Sequence, residues 1–159
     1  MAKLTKQFWG NLRYRATQVT VWQTVTASGI GLVFLYLAAM SVELHRGLNT
    51  SAYDYGLYDQ GIWLMSQFKS PFVTLMGRNL IGDHTSFILI FLVPFYWLVG
   101  STSFLFVVQA LVISAGAIPV FIYTRKKLES EIFATVFAVV YLIQQAKICI
   151  GLENYHPDS

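Results

Sequence analysis

Phe87-Ile-Leu-Ile-Phe-Leu-Val-Pro94-Phe-Tyr-Trp-Leu-Val-Gly100 is the stretch on which the topology of the chain turns. It carries no charge, but it has 14 residues, where a helix crossing a bilayer needs about 20. Pro94 also breaks the backbone ladder near its middle. A short apolar helix of this kind, placed over 84–100, is expected to dip into the membrane without crossing it. If it crossed, every later segment would invert.

The flanking runs are longer. Val25 to Val42 (VTASGIGLVFLYLAAMSV) extends back to about Val19, which gives a span over 19–42. Phe104 to Thr124 and Ile132 to Ile150 give two more, over 104–124 and 132–150. Lys3, Lys6, Arg13 and Arg15 precede the first span without an acidic neighbour, so residues 1–18 are expected in the cytoplasm by the positive-inside rule. A cleaved signal peptide would have a shorter apolar region of roughly 7–15 residues and a small-residue cleavage site. The first span therefore reads as an uncleaved anchor. Arg125-Lys126-Lys127 should also be cytoplasmic, which places 43–103 and 151–159 outside. The expected fold is an all-α integral membrane protein with three transmembrane helices, four being the alternative.

Composition excludes the soluble classes. Of the 159 residues 55% are hydrophobic, 16% aromatic and only 12% charged, against about a quarter charged in a soluble domain. Eleven Lys and Arg against 8 Asp and Glu give a formal net charge of +3, too little for a nucleic-acid partner. With one cysteine, Cys149, no intrachain disulfide can form. A lipid bilayer is the expected environment.

The outside loop has its own pattern. In Tyr53 to Phe68 (YDYGLYDQGIWLMSQF), Leu57, Tyr58, Ile62, Met65 and Phe68 fall at helical spacing, with Asp59, Gln60, Ser66 and Gln67 opposite. This predicts an amphipathic helix over 53–68, lying on the membrane surface and anchored by Trp63. Ser70-Pro71 and Met76-Gly77 punctuate the chain after it.

The topology would gather Asp54, Asp59, Arg78, Asp83, His84, Glu153, His156 and Asp158 on one side of the membrane. Polar groups are scarce in this chain, so their gathering suggests a headgroup-level site. Asp54, Asp83 and His84 are the catalytic candidates, a carboxylate serving as base toward an acceptor hydroxyl or as a metal ligand. Arg78 and His156 are the candidates for holding a phosphate. Each also has a structural reading. Asp54 and Asp83 could cap helices, Asp59 could be a solvated face, His84 an interfacial hydrogen-bonding residue, His156-Pro157 a turn, and Arg78 a contact to lipid headgroups. No zinc spacing, glycine-rich phosphate loop or Ser/His/Asp signature is present, so no metal site or cofactor is named. Gly29 to Gly31 and Ala110, Ser114 and Ala117 form small-residue faces for helix packing.

Tyr53-Asp54-x-Gly56-x-x-Asp59-Gln60-x-x-Trp63, Gly82-Asp83-His84-x-x-Phe87, Pro94-Phe-Tyr96, Gln109-Ala110 with Gly116-Ala117-x-Pro119, and Glu153-x-Tyr155-His156-Pro157 resemble successive motifs of a bacterial family of predicted polytopic membrane proteins of unknown function. That family is similar in layout to the GT-C glycosyltransferases. The resemblance implies an outside first loop bearing an essential acid, matched by Asp54, and a polyprenyl-phosphate sugar as donor. Such proteins continue through further spans beyond the His156-Pro157 motif. The chain is therefore expected to be either a truncated or split member, or a shortened descendant kept as a non-catalytic subunit against other transmembrane chains. The alternative is a module of a lipid-linked glycosyltransferase.

Overall fold

The computed structural model describes residues 19–49, 52–83, 87–99, 103–144 and 152. Helix α1 runs Val21–Arg46, 26 residues, or about 39 Å at 1.5 Å per residue. It starts at a complete capping box. The Thr20 hydroxyl accepts from the Gln23 N–H at 3.2 Å, and the Thr20 N–H donates to Gln23 Oε1 at 3.3 Å. His45 and Arg46 stand in its last turn, where cations complement the helix dipole.

The next long helical element is interrupted at one residue. Helix α5 covers Phe104–Ala115 and α6 covers Ala117–Leu128, with Gly116 between them. Pro119 lies in the first turn of α6, where its missing N–H costs least. Together they extend 25 residues, so the described residues contain two helices long and apolar enough to cross a membrane. Glu129 takes a left-handed conformation at φ 50° and ends α6. Ser130 then caps α7, Glu131–Ile143, its hydroxyl accepting from the Phe133 N–H at 3.4 Å. The last span was expected over 132–150, and its residues after 144 lie outside the described ones.

Helix α1 packs against α5 and α7, and α6 against α7, through small residues. Ala110, Ser114, Ala117, Ala134 and Ala138 are all essentially buried, and Leu142 of α7 lies against Gly29 of α1. Without a hydrophobic drive between helices in lipid, close backbone approach of this kind supplies the dispersion contacts. Thr26 and Thr135 tie α1 to α7 through a hydroxyl pair at 3.2 Å. At the other end His45 of α1 meets Phe106 of α5, ring centroids 5.1 Å apart. Thus α1 and α5 are antiparallel, and the intervening chain leaves and returns at the same end.

That intervening chain forms a cap. It comprises α2 (Ala52–Ser66), strands β1 (Phe72–Val73) and β2 (Arg78–Asn79), a single helical turn α3 (Leu80–Asp83), a 3-10 helix (Phe87–Leu92) and α4 (Val93–Val99). The strands pair antiparallel, Phe72 with Asn79 and Val73 with Arg78. Gly77, at φ +67°, allows the tight return. Two-residue strands leave no alternation to read, so the sequence shows the turn without the hairpin. Tyr55, Leu57, Tyr58, Ile62, Val73, Leu80, Leu89, Leu105 and Phe106 form one buried cluster joining the cap to α5.

Two expectations change here. The surface helix was expected over 53–68 with one wet face, but α2 ends at Ser66 and is covered on more than one side. The hairpin lies along it through Gln60, whose Nε2 donates to Thr74 Oγ1 at 3.1 Å and whose Oε1 accepts from the Thr74 N–H at 3.2 Å. On another side α4 packs, with the Trp97 indole N–H donating to the Ser66 carbonyl at 2.7 Å. Phe68, expected on the apolar face, is instead 88% exposed in a left-handed turn beyond the helix. The dipping helix expected over 84–100 is divided, with a 3-10 segment before Pro94 and an α-helix around it, and it rests on α2.

Candidate functional site

Where α1, α2, α4 and α5 meet, an acid is held among aromatic rings. Asp59 lies one turn beyond Tyr55 on α2, so both side chains point the same way. Its Oδ1 accepts from the Tyr96 hydroxyl of α4 at 2.5 Å, a short charge-assisted bond, and from the Tyr55 hydroxyl at 3.5 Å. Tyr55 stacks on Phe106 at 4.6 Å, nearly parallel. His45 tilts against both rings, 4.8 Å from Tyr55 and 5.1 Å from Phe106. Tyr96 meets Phe104 edge-on at 5.7 Å.

The electrostatics follow from this packing. Burial pushes the Asp59 carboxyl above its usual value, because desolvation penalises the charged form. The hydroxyls of Tyr96 and Tyr55 and the nearby His45 each work against that rise. The result is an acid with a raised proton affinity, pinned between two tyrosines at the junction of four helices. Perturbed acids of this kind concentrate at functional sites, and they also arise in structural networks.

Asp59 had been read from the sequence as a solvated face, and the structure corrects this. Its spacing from Leu57 and Ile62 assigns it to the polar side of the helix, but Tyr96 of α4 covers that side. The chain segment that does so is 37 positions away, beyond the reach of helical periodicity. The signal available was Tyr96, in the Pro94-Phe-Tyr96 motif.

The other candidates are placed as follows. Asp54 sits in the first turn of α2, half-buried, as expected of an acid at a helix N-terminus. Arg78 is on β2 of the hairpin that packs along α2, so these two share the cap with Asp59, while His45 approaches from the end of α1. Asp83 closes the α3 turn, whereas it had been expected to precede a helix. His84 and His156 lie outside the described residues, as do Glu153 and Asp158. Among the described residues no three His, Cys, Asp or Glu side chains come close enough to hold a metal ion.

Among the described residues two helices are long and apolar enough to cross a membrane, and the exposed side chains of the cap include many large apolar ones. The chain belongs to the family of predicted membrane proteins DUF2079, whose model matches residues 44–159. Comparison with curated proteins and with solved structures gives no significant match. The matched region holds Asp54, Asp59, Arg78 and Tyr96, while most of α1 precedes it.

Proposed function

We propose that the chain is a non-catalytic transmembrane subunit, of GT-C-like descent, that packs against further transmembrane helices of a larger membrane assembly. The observation that carries this reading is the outward face of α1. Leu32, Leu35 and Tyr36 are 69%, 62% and 52% exposed, and a side chain at Gly31 would meet nothing within 4 Å. An apolar face with a notch at a glycine is suited to a second helix approaching closely. In mild detergent the chain is expected to purify in stoichiometric contact with other transmembrane chains, with a cysteine at Gly31 crosslinking to one of them. A monomeric preparation that transfers sugar from a polyprenyl-phosphate donor would overturn this.

The same proposal sets the orientation: three spans in a bacterial inner or other internal membrane, with the N-terminus and Arg125 to Lys127 cytoplasmic. Charge asymmetry supports it, as does the return of the chain to the end of α1 at which it left. In a Cys149→Ser background, an impermeant thiol reagent applied to intact cells should label His156→Cys and not Lys126→Cys. Labelling of Lys126→Cys alone would establish four spans.

A glycosyltransferase module is the second reading, favoured by Asp54 lying half-buried in the same cap as Arg78 and the perturbed Asp59. Asp54→Asn keeps a good helix cap, within a few tenths of a kcal/mol, and removes the charge. If the acid is catalytic, the variant should melt with the parent and lose transfer activity by at least about 100-fold. Full activity in Asp54→Asn, measured in a glycolipid assay, would leave Asp54 a structural residue.

A further inference from the structure

We propose that the outward side of the 3-10 helix and α4 is a membrane anchor, seated in lipid at the boundary between headgroups and hydrocarbon, beside the first turn of α5. The element is two-sided. Leu89, Leu92, Val93 and Tyr96 recur at helical spacing and pack into the cap. Ile88, Phe91, Phe95 and Leu98 recur at the same spacing on the opposite side and form an exposed ridge, Phe91 at 73% and Leu98 at 81%. Phe68, in its left-handed turn, extends this apolar surface, its ring lying 5.7 Å from that of Trp97. The polar atoms of the element are spent inward, the Tyr96 hydroxyl on Asp59 and the Trp97 indole N–H on the Ser66 carbonyl. The ridge therefore leaves no side-chain donor in need of water.

Level and composition both select lipid over protein. Helix α1 passes from apolar to charged at Glu43, whose ion pair with Arg46 at 3.3 Å is exposed. His45 stands 5.1 Å from Phe106, so the first turn of α5 lies at the level where a bilayer passes from hydrocarbon to headgroups. The Phe95 ring is 6.1 Å from that of Phe104, which makes the ridge continuous with the exposed apolar side of α5 at Leu111 and Val112. Residues 87–99 contain no Gly, Ala, Ser or Thr, the small residues through which membrane helices approach one another. The ridge thus lacks a notch of the kind that α1 has at Gly31. It also lacks the charged and hydrogen-bonding rim of a surface that meets a soluble partner. Bulky aliphatic and aromatic side chains at this level are suited to the edge of the hydrocarbon. A fixed, one-sided anchor replaces the free dipping helix expected over 84–100, and its place is the same for either orientation of the chain.

The test uses the full chain, purified and reconstituted in phosphatidylcholine vesicles, in a Cys149→Ser background with one nitroxide-labelled cysteine at a time. Collision of the label with molecular oxygen, which concentrates in the bilayer, is compared with collision with a neutral, water-soluble nickel chelate. Phe91→Cys and Leu98→Cys should favour oxygen several-fold, as should Val112→Cys, about 12 Å further along α5 than Phe104. Lys126→Cys, exposed at the basic end of α6, should favour the chelate. The preference for oxygen at Phe91→Cys and Leu98→Cys should be smaller than at Val112→Cys, in keeping with a depth of about 5–10 Å into the headgroup and acyl boundary. Phe95→Cys, on the same ridge, replaces either variant that does not give a cooperative melt. Preference for the chelate along the ridge would leave it in water, and low collision with both reagents would mean that protein covers it; either result overturns the proposal. Neither result bears on the partner of α1, because the chain is reconstituted alone.

Discussion

Gly116→Leu is expected to destabilise the detergent-solubilised chain by about 2–4 kcal/mol, as overpacking at a close helix contact plus one lost hydrogen bond. A Cβ at Gly116 would overlap the hydroxyl of Tyr141 and come within 2.7 Å of its ring carbon. That hydroxyl donates to the Ile113 carbonyl at 3.1 Å, tying α7 to the last turn of α5. The tyrosine therefore cannot swing aside without leaving a helix-end carbonyl unmatched. A paired experiment separates the two causes. Gly116→Ala alone should lower the melting temperature, and adding Tyr141→Phe, which removes the overlapping oxygen, should recover part of the loss. Strict additivity of the two changes would mean that the overlap is not what keeps position 116 a glycine.

The second large effect concerns Asp59 and has a definite pH sign. Burial raises its carboxyl pKa in the folded chain above the unfolded value of 3.8, so the folded state holds this proton more tightly than the unfolded state does. Below pH 3.8 the acid is neutral in both states and costs nothing. As pH rises through the folded value, the penalty for a half-buried charge appears, and the contribution of Asp59 to stability falls. Asp59→Asn retains an oxygen for the Tyr96 hydroxyl and should remove that dependence, giving a melt at pH 7 equal to or above the parent's. Asp59→Leu removes this acceptor from the Tyr96 hydroxyl and should cost about 1–3 kcal/mol at pH 4, and less as pH rises and the parent itself weakens. Melting of the cap, followed by Trp63 and Trp97 fluorescence from pH 4 to 8, distinguishes the two. A pH-independent parent would show that the acid is solvated after all.

Much of the architecture was legible because it depends on local composition. The charge-free runs at Val25–Val42 and Phe104–Thr124 correspond to the two helices of spanning length. Thr20 and Ser130 begin helices by hydrogen bonds within three residues. Asp54 falls in a helix first turn, as its position before an apolar periodic run implies. The small residues Ala110, Ser114 and Ala117 were legible as a packing face, and all three are buried.

What stayed hidden depends on partners distant in the chain. Periodicity assigns α2 one apolar side, because it compares residues only with their neighbours three and four positions away. The side it leaves polar is filled by α4 and the hairpin. Hence Asp59 receives Tyr96, and Gln60 receives Thr74. The close packing at Gly116 likewise depends on Tyr141 of α7, and a cleft beside α1 on Ile118 and Phe121 of α6 facing Ala27 and Ile30. The sequence by itself determined that this is a helical membrane protein, where its long helices lie and which ends are basic, since hydropathy, charge and capping act over a few residues. Only the tertiary structure decided which acid is desolvated and where the helices part, since those follow from side chains brought together across tens of positions.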